Sequence, residues 1–188
     1  MGFEKTFAVS GQTYTRKVDS RVLNCLAGIA ESCSKFANDM RLLQHEKELE
    51  EPFESKQIGS SAMAYKRNPM RSERINSLSR HVIVLSNDTK ITSTTQWLER
   101  TLDDSANKRI CIPEAFLAVD AILKIYANIT ENIVVYENRI RANIMEEIPF
   151  MGTEEILMNA VLKGGDRQEL HEKIRIHSME AGKQVKVY

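Results

Sequence analysis

The sequence predicts an all-α protein that is led by long helices packed as a bundle. Apolar side chains recur every three or four residues over long stretches, which is the spacing of one buried helix face. No stretch combines the alternating pattern and the turn residues of a β-hairpin. The 188 residues are enough for one or two domains with a hydrophobic core. We therefore expect long helices first and shorter ones near the end of the chain.

The first long helix is expected between residues 18 and 43, over about seven turns. Its predicted buried stripe consists of Val18, Val22, Leu26, Ile29, Cys33, Phe36, Met40 and Leu43. Asp19 and Ser20 lie near the predicted start. An acidic run at residues 46–51 precedes Pro52, which cannot continue a helix. We interpret the acidic run as a solvated helix end.

Two more helices are expected before a third long one. The second helix follows Pro69 and is predicted to end near residues 86–88; its apolar face is Ile75, Leu78, Val82 and Leu85. Residues 92–102, with the single Trp97, are interpreted as a short helix. The next long helix has a predicted stripe of Ile112, Phe116, Val119, Leu123, Tyr126 and Ile133. Pro113 fits the first turn if that helix begins near Ile112, and otherwise kinks it.

The pattern changes near residue 135, where we place a soft domain boundary. Shorter helices are predicted at residues 137–145 and 153–163, with a break at residues 149–152 between them. Thr153 is expected to cap the second of these and Gly164 to end it. Asp166 is then the predicted start of a last helix that runs through Ala181.

Composition excludes several classes of protein. Lys plus Arg and Asp plus Glu both number 26, so the net charge is zero, which argues against a general nucleic-acid binder. No apolar run reaches the roughly 18 residues of a membrane span. Three cysteines without metal-site spacing favour the reducing cytoplasm, with each thiol expected as a small buried apolar group. Neither a membrane partner nor a metal ion is expected.

A polar loop at residues 57–73 interrupts the helical pattern. Gly59, Ser60 and Ser61 offer flexible backbone, hydroxyls and N–H groups. The cations and the amide that follow are Lys66, Arg67, Asn68, Arg71 and Arg74. This set suits an anionic ligand with carboxylates or a phosphate, but it lacks the ending of a nucleotide-binding P-loop. On composition alone, a basic surface loop is the alternative.

The order of residues in the loop is more specific than its composition. It contains Gly59-Ser-Ser-Ala-Met-Ala-Tyr-Lys-Arg-Asn-Pro-Met-Arg-Ser-Glu73. This run resembles the signature SSxMxxKxNxxxxE of the fumarase/aspartase superfamily, and in particular its adenylosuccinate lyase family. Further segments that are similar to that family lie at residues 11–19, 50–54, 97–107 and 170–175. One departure is Ala64, where the family usually has proline.

The resemblance implies a carbon–nitrogen lyase with no cofactor. Such enzymes of purine and AMP biosynthesis eliminate fumarate from adenylosuccinate, giving AMP, and from succinylaminoimidazole carboxamide ribotide, giving AICAR. By resemblance, Ser60 is the catalytic base, Lys66 and Asn68 stabilise the dianionic intermediate, and Glu73 orients the loop. The residues that match substrate contacts of the family are Gln12, Arg74, Arg100, Ser105 and Arg109.

The resemblance also implies an incomplete site and an oligomer. Residues 1–135 correspond to part of the central helical-bundle domain, and residues 136–188 to part of the C-terminal domain. The histidines of this chain, His45, His81, His171 and His177, do not match the general acid of the family. That acid is expected in sequence that precedes the matching region. The family is a homotetramer whose sites combine residues of three subunits.

Three hypotheses are therefore open. The chain is a lyase subunit or a piece of one; or it is a catalytically incomplete fragment that acts only as an assembly partner of full-length subunits; or it is another lyase of the superfamily, such as an argininosuccinate lyase. The similarity outside the loop, around Gln12 and at residues 97–107, argues against the third.

Overall fold

The structure, a computed structural model, describes residues 2–54, 62–63, 65–98 and 101–187. The helices are α1 (Lys17–His45), α2 (Met70–Thr94), α3 (Asp104–Glu131), α4 (Glu137–Met151), α5 (Thr153–Leu162) and α6 (Arg167–Val187). Two short strands, β1 (Leu49–Glu50) and β2 (Val134–Val135), pair antiparallel. The predicted all-α class is confirmed. The chain divides into two compact units, Met1–Val135 and Tyr136–Tyr188.

In the first unit, α1, α2 and α3 enclose one hydrophobic core. Its largest fully buried apolar side chains are Leu23, Met40, Ile75, Ile122, Ile129 and Val82. Apolar burial of this kind stabilises a helical bundle more than intrinsic helix propensity does. The β1–β2 pair was not expected, because two-residue strands are too short to leave a pattern in the sequence.

The buried face of α1 differs from the predicted stripe. Leu26, Cys33 and Met40 are buried as predicted, but Val22 and Ile29 are more than a third exposed. The remaining apolar positions of the buried face are Leu23, Ala27, Ala30 and Ala37. The prediction followed the largest side chains, whereas small alanine side chains fill the surface that α1 presents to its neighbours.

The second helix continues past its predicted end. α2 runs to Thr94, so the predicted end near residues 86–88 and the short helix at 92–102 are wrong where the structure describes them. Serine and threonine are common at helix ends, but inside α2 their hydroxyls bond to helix carbonyls. The Ser86 hydroxyl donates to the Ile83 carbonyl at 2.8 Å, and the Thr89 hydroxyl donates to the Ser86 carbonyl at 3.0 Å. Each hydroxyl is thereby satisfied within the helix.

The face and the start of α3 also differ from expectation. The helix begins at Asp104, so Pro113 lies inside it rather than in its first turn. The predicted stripe members Phe116 and Leu123 are about half exposed, while Ala115 and Ile122 are fully buried. Val119 is buried as predicted, whereas at the other two positions the buried residue precedes the predicted one, and the sequence pattern does not distinguish them because both residues of each pair are apolar.

In the second unit, α4, α5 and α6 bury little. Leu157 is buried, whereas α4 has no buried residue. α4 continues through Pro149 to Met151, so the predicted break narrows to Gly152. Gly164 adopts a φ of 95° after α5, and the Asp166 carboxylate accepts the Glu169 N–H at 2.9 Å, as expected of a terminator and a cap. Among the described residues, no helix is long and apolar enough to cross a membrane.

Candidate active site

The loop between α1 and α2 has two arms that the structure describes. We call residues 49–54 the incoming arm and residues 65–72 the outgoing arm. Ser60, the predicted base, lies outside the described residues, as do its neighbours at 55–61, Ala64 and Arg100. The described part of the site is therefore the base of the loop.

Glu51 joins the two arms at the start of α2. Its side chain is buried, with the residue 5% exposed, and its carboxylate accepts the N–H of Arg71 at 3.0 Å and that of Ser72 at 2.6 Å. These amides belong to the first turn of α2, where no helix carbonyl is available to them. A carboxylate at this end of a helix also interacts favourably with the helix dipole.

Two ion pairs flank Glu51. Arg67 lies 3.0 Å from the Glu50 carboxylate, and Arg71 lies 2.6 Å from that of Glu54. The Arg67 guanidinium also stacks over the Phe53 ring, 4.8 Å from its centroid. The interpretation of residues 46–51 as a solvated helix end is therefore wrong for Glu50 and Glu51, because a sequence does not show which distant groups a carboxylate meets.

The four predicted site residues that follow Ser60 lie on one continuous stretch. Lys66 is exposed, and its N–H donates to the Met63 carbonyl at 3.0 Å. Asn68 is half-buried, and its carbonyl accepts the Met70 N–H at 2.8 Å. Glu73 and Arg74 are exposed on the first turns of α2. A cleft of about 510 Å³ beside this stretch is lined by Asn38, Arg41, Leu42, Gln44, His45, Arg67, Pro69 and Glu73.

A second group of predicted site residues, Ser105 and Arg109, lies at the start of α3. Ser105 and Arg109 are one turn apart in α3, and the Arg109 guanidinium donates to the Ser105 carbonyl and hydroxyl. Gln12 is exposed on the segment that precedes α1. The Arg109 guanidinium and the Ser105 hydroxyl are groups suited to an anion.

A buried polar network organises that second group, and the sequence pattern had not singled it out. Arg16 lies 3.0 Å from Asp104 and 3.2 Å from Asp19. The Tyr14 hydroxyl donates to Asp19 at 2.7 Å, and the Arg16 N–H donates to the Gln96 side chain at 2.8 Å. The network thus holds the segment before α1 against residues after α2 and at the start of α3. A buried carboxylate must be paired with a cation, and Arg16 provides that cation for both Asp19 and Asp104.

The two groups of predicted site residues lie at opposite ends of α2. The first includes Glu73 in the opening turn, whereas Arg16, near the second group, contacts Gln96 just beyond the last turn. Twenty-five residues at about 1.5 Å each make α2 roughly 37 Å long. A single copy of the chain therefore does not bring Glu73 and Arg74 together with Ser105 and Arg109.

Two of the cysteines, Cys33 and Cys111, are buried and hold thiols that are not activated. Burial raises the pKa of Cys111 to about 11, with Asp88 adding to the shift, and burial raises the pKa of Cys33 as well. Cys25 is exposed, so the expectation that all three thiols are buried is wrong for it. Within the described ranges, no cluster of three histidine, cysteine or acidic side chains could hold a metal ion.

Comparisons with known proteins find sequence similarity to lyases. Residues 8–84 match a family model described as lyase. The chain is 53% identical to adenylosuccinate lyase of Saccharomyces cerevisiae over 186 residues, which are 99% of this chain and 39% of that protein. It is 50% identical to adenylosuccinate lyase of Schistosoma mansoni, over 99% of this chain and 39% of that protein. The chain thus spans about two fifths of the length of the curated relatives it matches.

Solved structures of lower identity share the fold. A fumarate lyase from Mesorhizobium sp. BNC1 superposes with a TM-score of 0.75 at 20% identity, over 90% of this chain and 37% of that one. The 3-carboxy-cis,cis-muconate lactonizing enzyme of Pseudomonas putida gives a TM-score of 0.74 at 23% identity, over 86% and 36%. Along nearly its whole length the chain is similar to adenylosuccinate lyases, its residues 8–84 match the lyase family model, and its helical fold is shared with these solved structures.

Proposed function

We propose that the chain supplies part of an adenylosuccinate lyase site, which eliminates fumarate from adenylosuccinate and from succinylaminoimidazole carboxamide ribotide. The observation that carries the proposal is the segment Gly59–Glu73, set within a chain that is about half identical to adenylosuccinate lyases along nearly all its length. The cytoplasm is the proposed location, since the three cysteines are free thiols, which a reducing compartment favours.

The proposed chemistry is a β-elimination. The Ser60 oxygen removes a proton from the carbon next to a carboxylate, and the electron pair that remains forms the double bond of fumarate as the carbon–nitrogen bond breaks. Lys66 and Asn68 stabilise the negative charge that develops on the carboxylate before the bond breaks. A general acid then protonates the leaving nitrogen.

The general acid is proposed to come from outside these residues. None of the four histidines matches the acid of the family, and only His45 lines the cleft beside Glu73 among the described histidines. The separation of the two groups along α2 supports a site assembled from more than one chain. Exposed apolar side chains on the bundle helices, including Phe116, Leu117 and Val84, provide surface for such an assembly.

A complementation experiment tests the proposal. The purified chain is incubated with adenylosuccinate, and fumarate release is followed by its ultraviolet absorbance. The chain is then mixed with the Saccharomyces cerevisiae relative in which the serine equivalent to Ser60 is replaced by alanine. Restored turnover, lost again when this chain carries Ser60→Ala, is the expected result. Absence of turnover with the unmodified chain in every mixture would rule out a catalytic contribution.

The second candidate is a chain that assembles with full-length subunits without catalysing the reaction. The observation that favours it is the absence of a matching acid histidine together with the two separated groups of site residues. Light scattering of the chain alone and of the mixture distinguishes the candidates. Mixed oligomers with no restored turnover support assembly alone, whereas a monomer that does not mix with the relative excludes both candidates.

A further inference from the structure

Carboxylates of the incoming arm face donors of the outgoing arm at three points, and we call this set the clasp. Its members are Glu50 with Arg67, Glu51 with the amides of Arg71 and Ser72, and Glu54 with Arg71. We propose that Glu51 is a positioning residue, which fixes the base of the loop so that Lys66, Asn68 and Glu73 are held for catalysis. The catalytic part of this inference rests on the proposed function.

Burial makes Glu51 the central member. A buried carboxylate is costly unless its oxygens are hydrogen-bonded, and here each oxygen accepts one backbone N–H. The same two amides would have no acceptor in the first turn of α2 if the carboxylate were removed. If either arm moved away, the Glu51 carboxylate and the N–H groups of Arg71 and Ser72 would all lose their hydrogen-bond partners.

The two flanking ion pairs are more exposed. The Glu54 side chain is 69% exposed and the Arg67 side chain 48%, so solvent and salt screen both pairs. Their contribution is to restrict the arms laterally, with Phe53 beneath Arg67. We therefore expect removal of Glu51 to affect the loop more than removal of Glu54.

Gln44, near the end of α1, links the clasp to the bundle. Its side-chain oxygen accepts the Glu51 N–H at 3.4 Å, and its side-chain nitrogen donates to the Arg67 carbonyl at 3.2 Å. One amide thus contacts both arms. Because α1 packs in the hydrophobic core, Gln44 positions the clasp relative to the bundle and the two arms relative to each other.

The clasp members on the outgoing arm are direct sequence neighbours of predicted site residues. Lys66 precedes Arg67, Asn68 follows it, and Glu73 follows Ser72. A backbone fixed at Arg67 and Ser72 therefore constrains the neighbouring side chains that the proposed reaction uses. Reacting groups must be held within a fraction of an ångström, so a loosened base lowers the rate even when the reacting groups are all present.

Amide hydrogen exchange tests the geometric part without any activity. The full chain is compared with Glu51→Ala, and with Asp120→Ala as a control that removes a carboxylate from an exposed ion pair on α3. In Glu51→Ala, the amides of Arg71 and Ser72 should exchange at least about tenfold faster, while those of α3 keep their protection. Unchanged exchange at Arg71 and Ser72 would overturn the inference.

A conservative variant distinguishes the loss of these two hydrogen bonds from a general loss of structure. Glu51→Gln keeps one carbonyl oxygen, so it should protect one of the two amides and leave the other faster. If Glu51→Ala also loses protection in α3, the comparison rests on Glu51→Gln. Equal protection of both amides in Glu51→Gln and the unmodified chain would then count against a role for the second oxygen.

Kinetics in the complementation mixture test the catalytic part. Glu51→Ala should lower kcat by about 10- to 100-fold with KM changed by less than about threefold, because Glu51 acts through the loop and not on the substrate. Glu51→Gln should fall between, and Asp120→Ala should match the unmodified chain. A kcat for Glu51→Ala equal to that of Asp120→Ala would overturn the positioning role. If the unmodified chain restores no turnover, the lyase proposal fails, and the catalytic role of Glu51 fails with the lyase proposal. The hydrogen-exchange result still decides whether Glu51 holds the two arms together.

Discussion

Arg16 and Asp104 form a buried ion pair that joins the start of α1 to the start of α3. The Arg16 Nε lies 3.0 Å from the Asp104 carboxylate, and the two side chains are 3% and 8% exposed. Arg16 also pairs with Asp19 and stacks on the Tyr14 ring, 4.1 Å from its centroid. The second oxygen of Asp104 has no partner among the described residues, so Arg16 is the main compensation for that buried charge.

Replacing Arg16 should destabilise the first unit strongly. In Arg16→Ala, Asp19 and Asp104 lose their cation while still buried, which should lower the free energy of unfolding by about 3–5 kcal/mol. Urea denaturation followed by circular dichroism measures the change. The matched control is Lys124→Ala, which removes a cation from the exposed pair with Asp120 and should cost less than about 1 kcal/mol. Equal losses in the two variants would contradict a structural role for the buried pair.

Removing the Lys66 ammonium should affect catalysis and leave stability unchanged. Lys66 is exposed, so Lys66→Met should alter the free energy of unfolding by less than about 0.5 kcal/mol. Loss of a group that stabilises charge in the transition state should lower complemented turnover on the order of 10²-fold. Lys90→Met, a similar change on the exposed face near the other end of α2, is the control. Turnover equal to that of Lys90→Met would remove Lys66 from the proposed site.

Stability should fall at alkaline pH because of Cys111. Burial raises the pKa of this thiol from 9.0 to about 11, so between these values the folded chain retains a proton that the unfolded chain releases. The contribution is complete below about pH 9 and is lost as the pH rises to about 11, with a slope of at most about 1.4 kcal/mol per pH unit.

Urea unfolding at a series of pH values from about 8 to 11 checks the slope. Cys111→Ala should show a shallower decline than the unmodified chain, whatever its stability at pH 8. Some decline should persist, since burial also raises the pKa of Cys33 and of Tyr14, the latter with a further contribution from Asp19. Parallel declines in the two proteins would show that Cys111 is not responsible.

Two glycines of the second unit should respond in opposite directions to alanine. A Cβ at Gly164 or at Gly182 would meet no atom within 4 Å, so space does not distinguish them. Gly164 has a φ of 95°, which strains any L side chain, and Gly164→Ala should cost about 1 kcal/mol or more. Gly182 lies inside α6, where alanine is the better helix former, and Gly182→Ala should add about 0.5–1 kcal/mol. Urea unfolding of the two variants gives the sign, and shifts in the same direction would refute the argument.

The candidate site illustrates which features a sequence discloses. The segment from Ser60 to Glu73 could be recognised because its residue types follow one another at fixed spacing. The contacts of Glu51 could not, because its donors are 20 and 21 residues further along and nothing local distinguishes it from the other glutamates of residues 46–51. The Arg16–Asp104 pair escaped notice for the same reason.

The fold, like the site, was predicted only in part from the sequence. Helix class, the polar loop and the capping at Asp166 depend on neighbours within four residues, and these were predicted correctly from local spacing and turn chemistry. The end of α2 and the buried faces of α1 and α3 were not. In α2, serine and threonine hydroxyls bond to helix carbonyls where an end had been expected, and alanines such as Ala30 and Ala115 occupy positions that larger residues had been expected to fill.

By itself, the sequence determined the helical class, the place of the loop and the similarity to adenylosuccinate lyases, because periodicity and motif spacing are properties of consecutive residues. The tertiary structure decided which helix faces are buried, which carboxylates are paired, and that Glu73 and Ser105 lie toward opposite ends of α2. These depend on groups brought together from distant parts of the chain, where burial and charge pairing outweigh local preference. The length of a straight helix, about 37 Å for α2, is the physical reason that one copy holds the two halves of the candidate site apart.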